Sequence, residues 1–333
     1  MSQNPAHRAL ELDPHREVER IAGAMRSQVA DTLGRRGVVL GMSGGVDSSV
    51  CAALAVEAFG PTRVLGVFMP ERDSDPASLE LARDLADQLG IESLVEDVGP
   101  ALDGAGCYAR RDEAIRRVVP DFGPTWGCKL VLPADRLREG ALTVYHLVVQ
   151  PPGGEPESHR LPPSEYRQIV AATNFKQRVR KMMEYYHADR LHYAVLGTPN
   201  RVEFDQGFFV KGGDGLADLK PIAHLYKRQV YQLGEHLGVP PSILGRPPST
   251  DTFSMPQGQD EFYFAVPVRE LDVILHAHDA GVDASESAGW IGRSQEEVQA
   301  VYRDIVQKRR TTRYLHTPPL LVEEVPHESP GGA

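Results

Sequence analysis

The sequence predicts an α/β fold, a doubly wound parallel sheet with helices on both faces. Two observations predict it. Short unbroken apolar runs, GVVLG (37–41), VLGVF (64–68) and YAVLG (193–197), suit strands buried on both sides. Stretches with helical apolar spacing alternate with these runs, as crossover connections require. No internal repeat is evident.

In chain order, Arg16 to Leu33 carries Val18, Ile21, Ala22, Met25 and Val29 at helical spacing. The run 37–41 follows as a strand, then a Gly/Ser turn, then a helix of small residues from Ser48 to Phe59 with Val50, Ala53 and Leu54 facing the sheet. The unit repeats as the strand 64–68, a helix from Pro76 to Leu89 and a strand near Ile91 to Val95. Later come the strand 193–197 and helices Leu225 to Leu237, Val268 to His278 and Gln295 to Lys308. Residues 316–333, HTPPLLVEEVPHESPGGA, have the composition of a fraying tail. The rhythm breaks between 104 and 170, where LTVYHLVV (142–149) reads as a strand followed by a Pro/Gly turn, a hairpin candidate. This stretch is expected to be an insertion, and two readings stay open: surface decoration, or a lid or oligomer contact.

Composition narrows the class. Forty-six acidic residues against 36 basic give a net charge of −10, which disfavours bulk nucleic-acid or anionic-membrane binding. Three scattered cysteines, Cys51, Cys107 and Cys128, lack CxxC spacing, so neither a disulfide framework nor structural zinc is expected. No run approaches a membrane span and the polar N-terminus is no secretory leader, so a cytoplasmic protein is expected.

The strongest local signal is Ser43-Gly44-Gly45-Val46-Asp47-Ser48-Ser49, between a buried strand and a helix. Backbone N–H groups at the positive end of the helix dipole suit a phosphate, and Gly44 and Gly45 allow close approach. The serines add hydroxyls, while Asp47 could hold the Mg²⁺ that accompanies a nucleotide. The Walker lysine and the GxGxxG spacing are both missing. The plain alternative is a Gly/Ser helix entry capped by Ser or Asp.

Three downstream segments add chemistry. In Asn174 to His187, Phe175, Val179, Met182, Met183 and Tyr186 make one apolar stripe with Arg178 on its edge, while Lys176 and Arg180 point further out. An inward guanidinium requires an anion or acceptors. The segment Leu196 to Leu219 opens at a strand end, where open α/β sheets bind ligands, and mixes glycines with Thr198, Glu203, Lys211, Asp214 and Asp218. The third comprises Leu225-Tyr-Lys227-Arg-Gln229, Arg246-Pro-Pro-Ser249-Thr-Asp251 and Gln259-Asp260-Glu261; alone, each is unremarkable.

SGGVDSS (43–49) resembles the loop of N-type ATP pyrophosphatases, which cleave ATP between the α and β phosphates and adenylate an oxygen of the substrate. In order and spacing, the downstream segments resemble the NAD synthetase family, whose pattern reads N-x-x-A-R-x-R-M, L-G-T-x-N-x-x-E, K-Y-G-D-G-x-A-D, L-x-K-x-Q, P-P-S-A-D and Q-x-D-E. The resemblance covers most of residues 16–310 outside the insertion. It implies an adenine nucleotide alpha-hydrolase-like, Rossmann-like fold. It also implies an ammonia-dependent amidation, with AMP passing to the nicotinate carboxylate of deamido-NAD and ammonia displacing it to give NAD. ATP would be bound by Ser43, Gly44, Gly45, Asp47, Ser48, Thr198, Lys227 and Ser249, with Asp47 and Lys227 catalytic and Asp47 and Glu203 on Mg²⁺. Arg178, Lys211, Asp214, Asp218 and Lys308 would bind the dinucleotide across a homodimer interface, Lys308-Arg309 closing over the phosphates.

The chain departs from the family at Gln177, Leu216, Gln307 and Glu71-Arg72-Asp73-Ser74-Asp75, and in the length of the insertion. A single synthetase domain with that insertion is expected. At 333 residues there is no room for a glutaminase domain, so ammonia would arrive free or from a separate partner. Two other enzyme readings remain: a paralogue amidating another carboxylate, or a sulfur-inserting ATP pyrophosphatase using Cys107 or Cys128. A non-catalytic nucleotide-binding regulator would not need both Asp47 and Glu203.

Overall fold

Alternate residues of the first two strands serve opposite faces of one sheet, which is why both strands are apolar throughout. The computed structural model describes residues 8, 10–132, 145–248, 250, 252–264 and 266–325. The chain enters through α1 (Pro14–Ser27), whose first turn is capped by the Asp13 carboxylate accepting from the Arg16 N–H, and continues in a π-helical turn, Gln28–Thr32. Then come β1 (Val38–Gly41), α2 (Val46–Phe59), β2 (Val64–Phe68), α3 (Pro76–Leu89) and β3 (Glu92–Val95). Asp75 caps α3, Pro76 opens it, and Gly90, left-handed at φ 65°, ends it. Short helices α4 (Gly99–Gly104) and α5 (Cys107–Arg116) lead to the strands β4 (Gly127–Val131), β5 (His146–Gln150) and β6 (Glu157–Arg160). The long helix α6 (Pro163–Leu191) and the short strand β7 (Ala194–Val195) return the chain to the first sheet.

That sheet is wholly parallel, in the order β3-β2-β1-β7, with Val38 opposite Val64 on one side and Ala194 on the other. Val38, Leu40, Val64 and Phe68 pack with apolar residues of α1, α2 and α3. Val39, Leu65 and Val67 pack on the other face with Leu102, Cys107, Tyr108 and Ala188. Each such aliphatic side chain contributes roughly 1.5–3 kcal/mol by leaving water. The doubly wound fold expected from the alternation is therefore present. β7 is shorter than the five-residue run suggested; Leu196 just past it still donates to the Val39 carbonyl at 2.9 Å and bridges to Leu219.

The stretch between 104 and 170 holds α5, a three-stranded antiparallel sheet in the order β4-β5-β6, and the first turns of α6. Residues 142–144 of the expected strand lie outside the described residues; the strand observed is β5, which forms a hairpin with β6. The inserted sheet has its own core, in which Cys128, Leu130, Leu147 and Val149 meet Ile115 of α5, Ile169 of α6 and Phe253.

The remaining chain is helical: α7 (Arg201–Gln206), α8 (Lys227–His236), α9 (Pro241–Leu244), α10 (Gln259–Phe262), α11 (Val268–Asp279), α12 (Ala284–Ile291) and α13 (Gln295–His316). α8 joins the first face of the parallel sheet through Val230 and Leu233. α11 to α13 form a separate cluster around Phe264, Ile274, Val298 and Ile305.

One expectation is corrected. The helical wheel put Met182 and Tyr186 on the apolar stripe of α6 and pointed Lys176 outward. Met182 and Tyr186 are more than half exposed, whereas Lys176 is 1% exposed and Lys181 is buried as well. α6 is enclosed on several sides, by the parallel sheet, α5 and the inserted sheet, so a reading with one inward face cannot describe it.

Candidate active site

A cavity of about 950 Å³ is lined by Gly41 at the end of β1, Phe68 at the end of β2 and Leu196 just past β7. This is the strand-end position at which open α/β sheets bind ligands. Its walls come from the loop before α2, the strap 69–76 after β2, α6, the segment 207–214 and residues 246–263.

The loop between β1 and α2 is drawn tight by its own serines. The Ser43 and Ser48 hydroxyls lie 3.1 Å apart, the Ser48 hydroxyl donates to the Gly45 carbonyl at 3.0 Å, and the Ser49 hydroxyl donates to the same carbonyl at 2.9 Å. Gly44 is left-handed at φ 73°, and a Cβ there would come within 2.4 Å of the Ser78 carbonyl, so glycine is required on two counts. Val46, Asp47 and Ser48 of the first turn of α2 line the cavity, and among the described residues no side chain caps the helix, which counts against an ordinary capped helix entry and suits an anion.

Beside this turn sits a charge cluster. The Lys227 ammonium, 2% exposed as a residue, forms an ion pair with the Asp47 carboxylate. Asn200 donates to the other Asp47 oxygen at 3.2 Å and caps α7 by accepting from the Glu203 N–H at 3.2 Å. Glu203 accepts from the Asn200 N–H at 3.1 Å and from the Gln259 amide at 3.0 Å. Burial, and then the Asp47 charge, push the Glu203 carboxyl up to about 7, only partly offset by Lys227. Burial lowers the Lys227 ammonium, but Asp47 and Glu203 outweigh it and raise the pKa overall. Asp272, fully buried, accepts from the Lys227 and Arg228 N–H groups at 3.1 and 2.7 Å and anchors the start of α8; burial pushes its carboxyl up to about 7.

The other half of the cavity carries a second set. Arg178 is exposed and lines the wall, its Nε donating to the Lys211 carbonyl at 3.3 Å. The Lys211 ammonium reaches the Tyr314 and Thr317 carbonyls at 2.7 and 2.8 Å, the last turn of α13 and the residue after it. Asp214 also lines the cavity; it accepts from the Val210 N–H at 2.7 Å, and burial raises its carboxyl. On the floor, Lys181 and Glu184 pair at 2.6 Å. An aromatic wall adds Tyr145 and Tyr166, stacked with centroids 4.4 Å apart, and Phe262.

Ser43, Gly45, Asp47, Ser48, Thr198, Glu203, Lys227, Arg178, Lys211 and Asp214 all line this one cavity. Ser249 lies outside the described residues. Asp218 and Lys308 stand elsewhere. Asp218 accepts from the Val195 N–H at 2.7 Å and from the Tyr185 hydroxyl, holding β7 in place. Lys308 donates to Asp304 and the Tyr263 carbonyl, and Arg309 binds Asp205 and Asp279. The sequence reasoning passed over Asn200, Gln259 and Asp272 as individuals. The N-x-x-E spacing of a capping box could have found Asn200; nothing local marks Asp272. Cys107 and Cys128 are buried, and burial raises both thiols, which counts against sulfur transfer through them.

Comparison with known proteins agrees with this arrangement. The family model described as NAD synthase matches residues 17–114 and 158–319. The chain is 57% identical over 316 residues to a protein of Mesorhizobium japonicum named NH(3)-dependent NAD(+) synthetase, covering 95% of this chain and 99% of that one. It is 36% identical over 251 residues to a protein of the same name from Thermotoga maritima, covering 75% and 83%. Among solved structures, an NH3-dependent NAD synthetase from Campylobacter jejuni, in complex with the nitrate ion, superposes with a TM-score of 0.61 at 18% identity, covering 94% of this chain and 100% of that one. An NMN synthetase from Francisella tularensis gives 0.58 at 22% identity, covering 93% and 99%. At those identities the two structures bear on the fold alone.

Proposed function

The chain belongs to the NAD synthase family, and from that premise we propose how its cavity carries out an ATP-dependent, ammonia-using amidation. The chain is a ligase forming a C–N bond. The nicotinate carboxylate of deamido-NAD attacks the α-phosphorus of ATP, the α–β bond breaks and pyrophosphate leaves. Ammonia then attacks the adenylated carbonyl carbon and AMP departs, giving NAD. The observation that carries the reading is the uncapped start of α2 beside two carboxylates and one buried ammonium in the same cavity.

Each residue has a task that needs no protein nucleophile. Backbone N–H groups of the α2 turn and the hydroxyls of Ser43 and Ser48 cradle the departing pyrophosphate. Lys227, held by Asp47 and oriented through the Asp272 cap on its own N–H, meets the charge that grows on the phosphates. Asp47 and Glu203 fit Mg²⁺. Mg²⁺ is commonly bound by one or two carboxylates together with substrate phosphates and water, and these two residues would supply the carboxylates. When bound, Mg²⁺ neutralises phosphate charge and assists pyrophosphate as a leaving group. Thr198 and Ser249 belong to the ATP side, and Arg178, Lys211 and Asp214 to the dinucleotide side. Asp218 and Lys308, assigned to the dinucleotide by resemblance, act one step back, Asp218 by holding β7 and Lys308 by tying the body of α13 to the Tyr263 carbonyl.

The exposed Met182 and Tyr186 of α6 stand about one and two turns from Arg178 and offer an apolar face to a second copy, in keeping with a homodimer. No helix among the described residues is long and apolar enough to cross a membrane; a cytoplasmic enzyme that takes free or partner-supplied ammonia, and neither nucleic acid nor membrane, completes the reading. The test is to incubate purified protein with ATP, Mg²⁺, ammonium and deamido-NAD and follow NAD, AMP and pyrophosphate. Equimolar formation of all three is expected; pyrophosphate without NAD would overturn the amidation of deamido-NAD while keeping cleavage of ATP between the α and β phosphates.

A further inference from the structure

We propose that the inserted sheet positions the metal-side carboxylate, its strand β4 bracing residues 254–261 and, through Gln259, aiming Glu203. This rests on the reading of Glu203 as a Mg²⁺ ligand. β4 is an edge strand whose one side pairs with β5, and its other side would normally leave N–H and C=O groups open. Here the segment 254–261 fills that side. The Cys128 N–H donates to the Ser254 hydroxyl at 3.0 Å, and the Cys128 carbonyl accepts from the Met255 N–H at 3.3 Å. The Lys129 ammonium reaches the Pro256 carbonyl at 3.2 Å and the Glu261 carboxylate at 2.9 Å. The Leu130 carbonyl accepts from the Gln257 amide, and the Leu132 N–H donates to the Glu261 carbonyl at 2.8 Å. Gly127 leaves room for this approach, since a Cβ there would sit 2.8 Å from Met255 Cγ.

The braced segment then meets the cavity. Gln257 holds Thr250 through its carbonyl at 3.1 Å and its side chain at 3.2 Å, and Thr250 lines the wall. Gln259 donates to Glu203 at 3.0 Å, while its own Oε1 is buried with no hydrogen-bond partner among the described residues. With one anchor on its amide, Gln259 takes its aim from the backbone that carries it, and β4 fixes that backbone. The NAD synthase model leaves residues 115–157 unmatched, and β4 and β5 both lie in that stretch. The insertion is thus neither decoration nor lid but an outer support for a ligand, a role whose loss typically costs about 10- to 100-fold in metal affinity or activity.

The test uses the full chain. Lys129→Met should raise the Mg²⁺ concentration for half-maximal activity roughly tenfold, leave the KM for deamido-NAD unchanged and be rescued by Lys129→Arg. Ser254→Ala, a milder cut of the same contact, should shift Mg²⁺ demand in the same direction. Glu157→Ala, on the far strand β6, should change nothing. A lower melting temperature with unchanged Mg²⁺ demand in both Lys129→Met and Ser254→Ala would overturn the proposal and leave the sheet a stability element. Unchanged Mg²⁺ demand in Glu203→Gln would instead bring down the metal reading itself, and the brace with it.

Discussion

Two buried lysines, Lys227 and Lys176, each sit between two carboxylates, yet their surroundings differ in charge. Lys227 faces Asp47, and its charge also acts on Glu203 and Asp272 without outweighing their burial. Lys176 binds Glu71 at 2.8 Å, Asp73 at 2.7 Å and the Thr252 carbonyl at 2.7 Å. There Arg111 adds bonds to Asp73 and Asp112, Arg72 lies near both, and the Tyr108 hydroxyl donates to Glu71 at 2.7 Å. Three carboxylates meet three cations; Lys176, Arg111, Glu71 and Asp73 have buried side chains, and Arg72 stands at the exposed edge. The contrast appears in the carboxylates. Burial would raise Asp73, but Lys176 and Arg111 outweigh it and hold it below the usual range, whereas Glu203 and Asp272 are pushed up to about 7. A cluster left short of positive charge next to a cavity is prepared for a cation and a nucleotide; a balanced one fixes the position of chain segments.

Removing a member of the unbalanced cluster should damage chemistry most. Asp47→Ala is expected to lower the rate of NAD formation by about 10³-fold while the unfolding midpoint stays near that of the parent; a variant with near-parental kcat would erase the distinction. The balanced cluster should answer in the opposite currency. Lys176→Met leaves Glu71 and Asp73 buried without their ammonium, and urea denaturation should register a loss of about 3–5 kcal/mol. If its stability is parental and only KM for ATP rises, both clusters serve the site.

The raised carboxyl of Glu203 gives a third test. Its folded pKa lies above the unfolded value of about 4.5, so its contribution to stability is complete below that pH and disappears as pH rises through about 7. In chelator, urea unfolding should show stability falling between pH 5 and pH 8, with up to roughly 3 kcal/mol from Glu203 and a further part from Asp272. Glu203→Gln should flatten the slope, and a slope of opposite sign would contradict the charge reading. The smallest effect is expected at the rim. Arg178→Ala should raise KM for deamido-NAD about tenfold, near 1.4 kcal/mol, and leave kcat within a factor of two, measured by steady-state kinetics.

The two clusters also divide what the sequence could reveal. Asp47, Glu203 and Lys227 stand in short motifs at strand ends and helix starts, where local spacing carries the chemistry. The Lys176 set draws on residues 71, 72, 73, 111, 112 and 176, which only folding brings together. The same limit shaped the fold. β1 and β2, buried on both faces, were plain as unbroken apolar runs. β3 is only partly buried and β7 is two residues long, so neither boundary had a sharp signal. The inserted sheet was legible as a hairpin candidate, but its bracing of residues 254–261 joins segments over a hundred positions apart.

The contact between Gly44 and the Ser78 carbonyl has a consequence for anyone seeking to retune nucleotide preference by directed evolution. Position 44 answers to its own left-handed backbone and to a carbonyl of a different segment, so a library there would return mostly dead clones. Ser78 is the more promising target: its side chain meets Arg246 at 2.9 Å on the cavity wall. A pairwise library at 78 and 246 would vary that wall while leaving the phosphate turn intact.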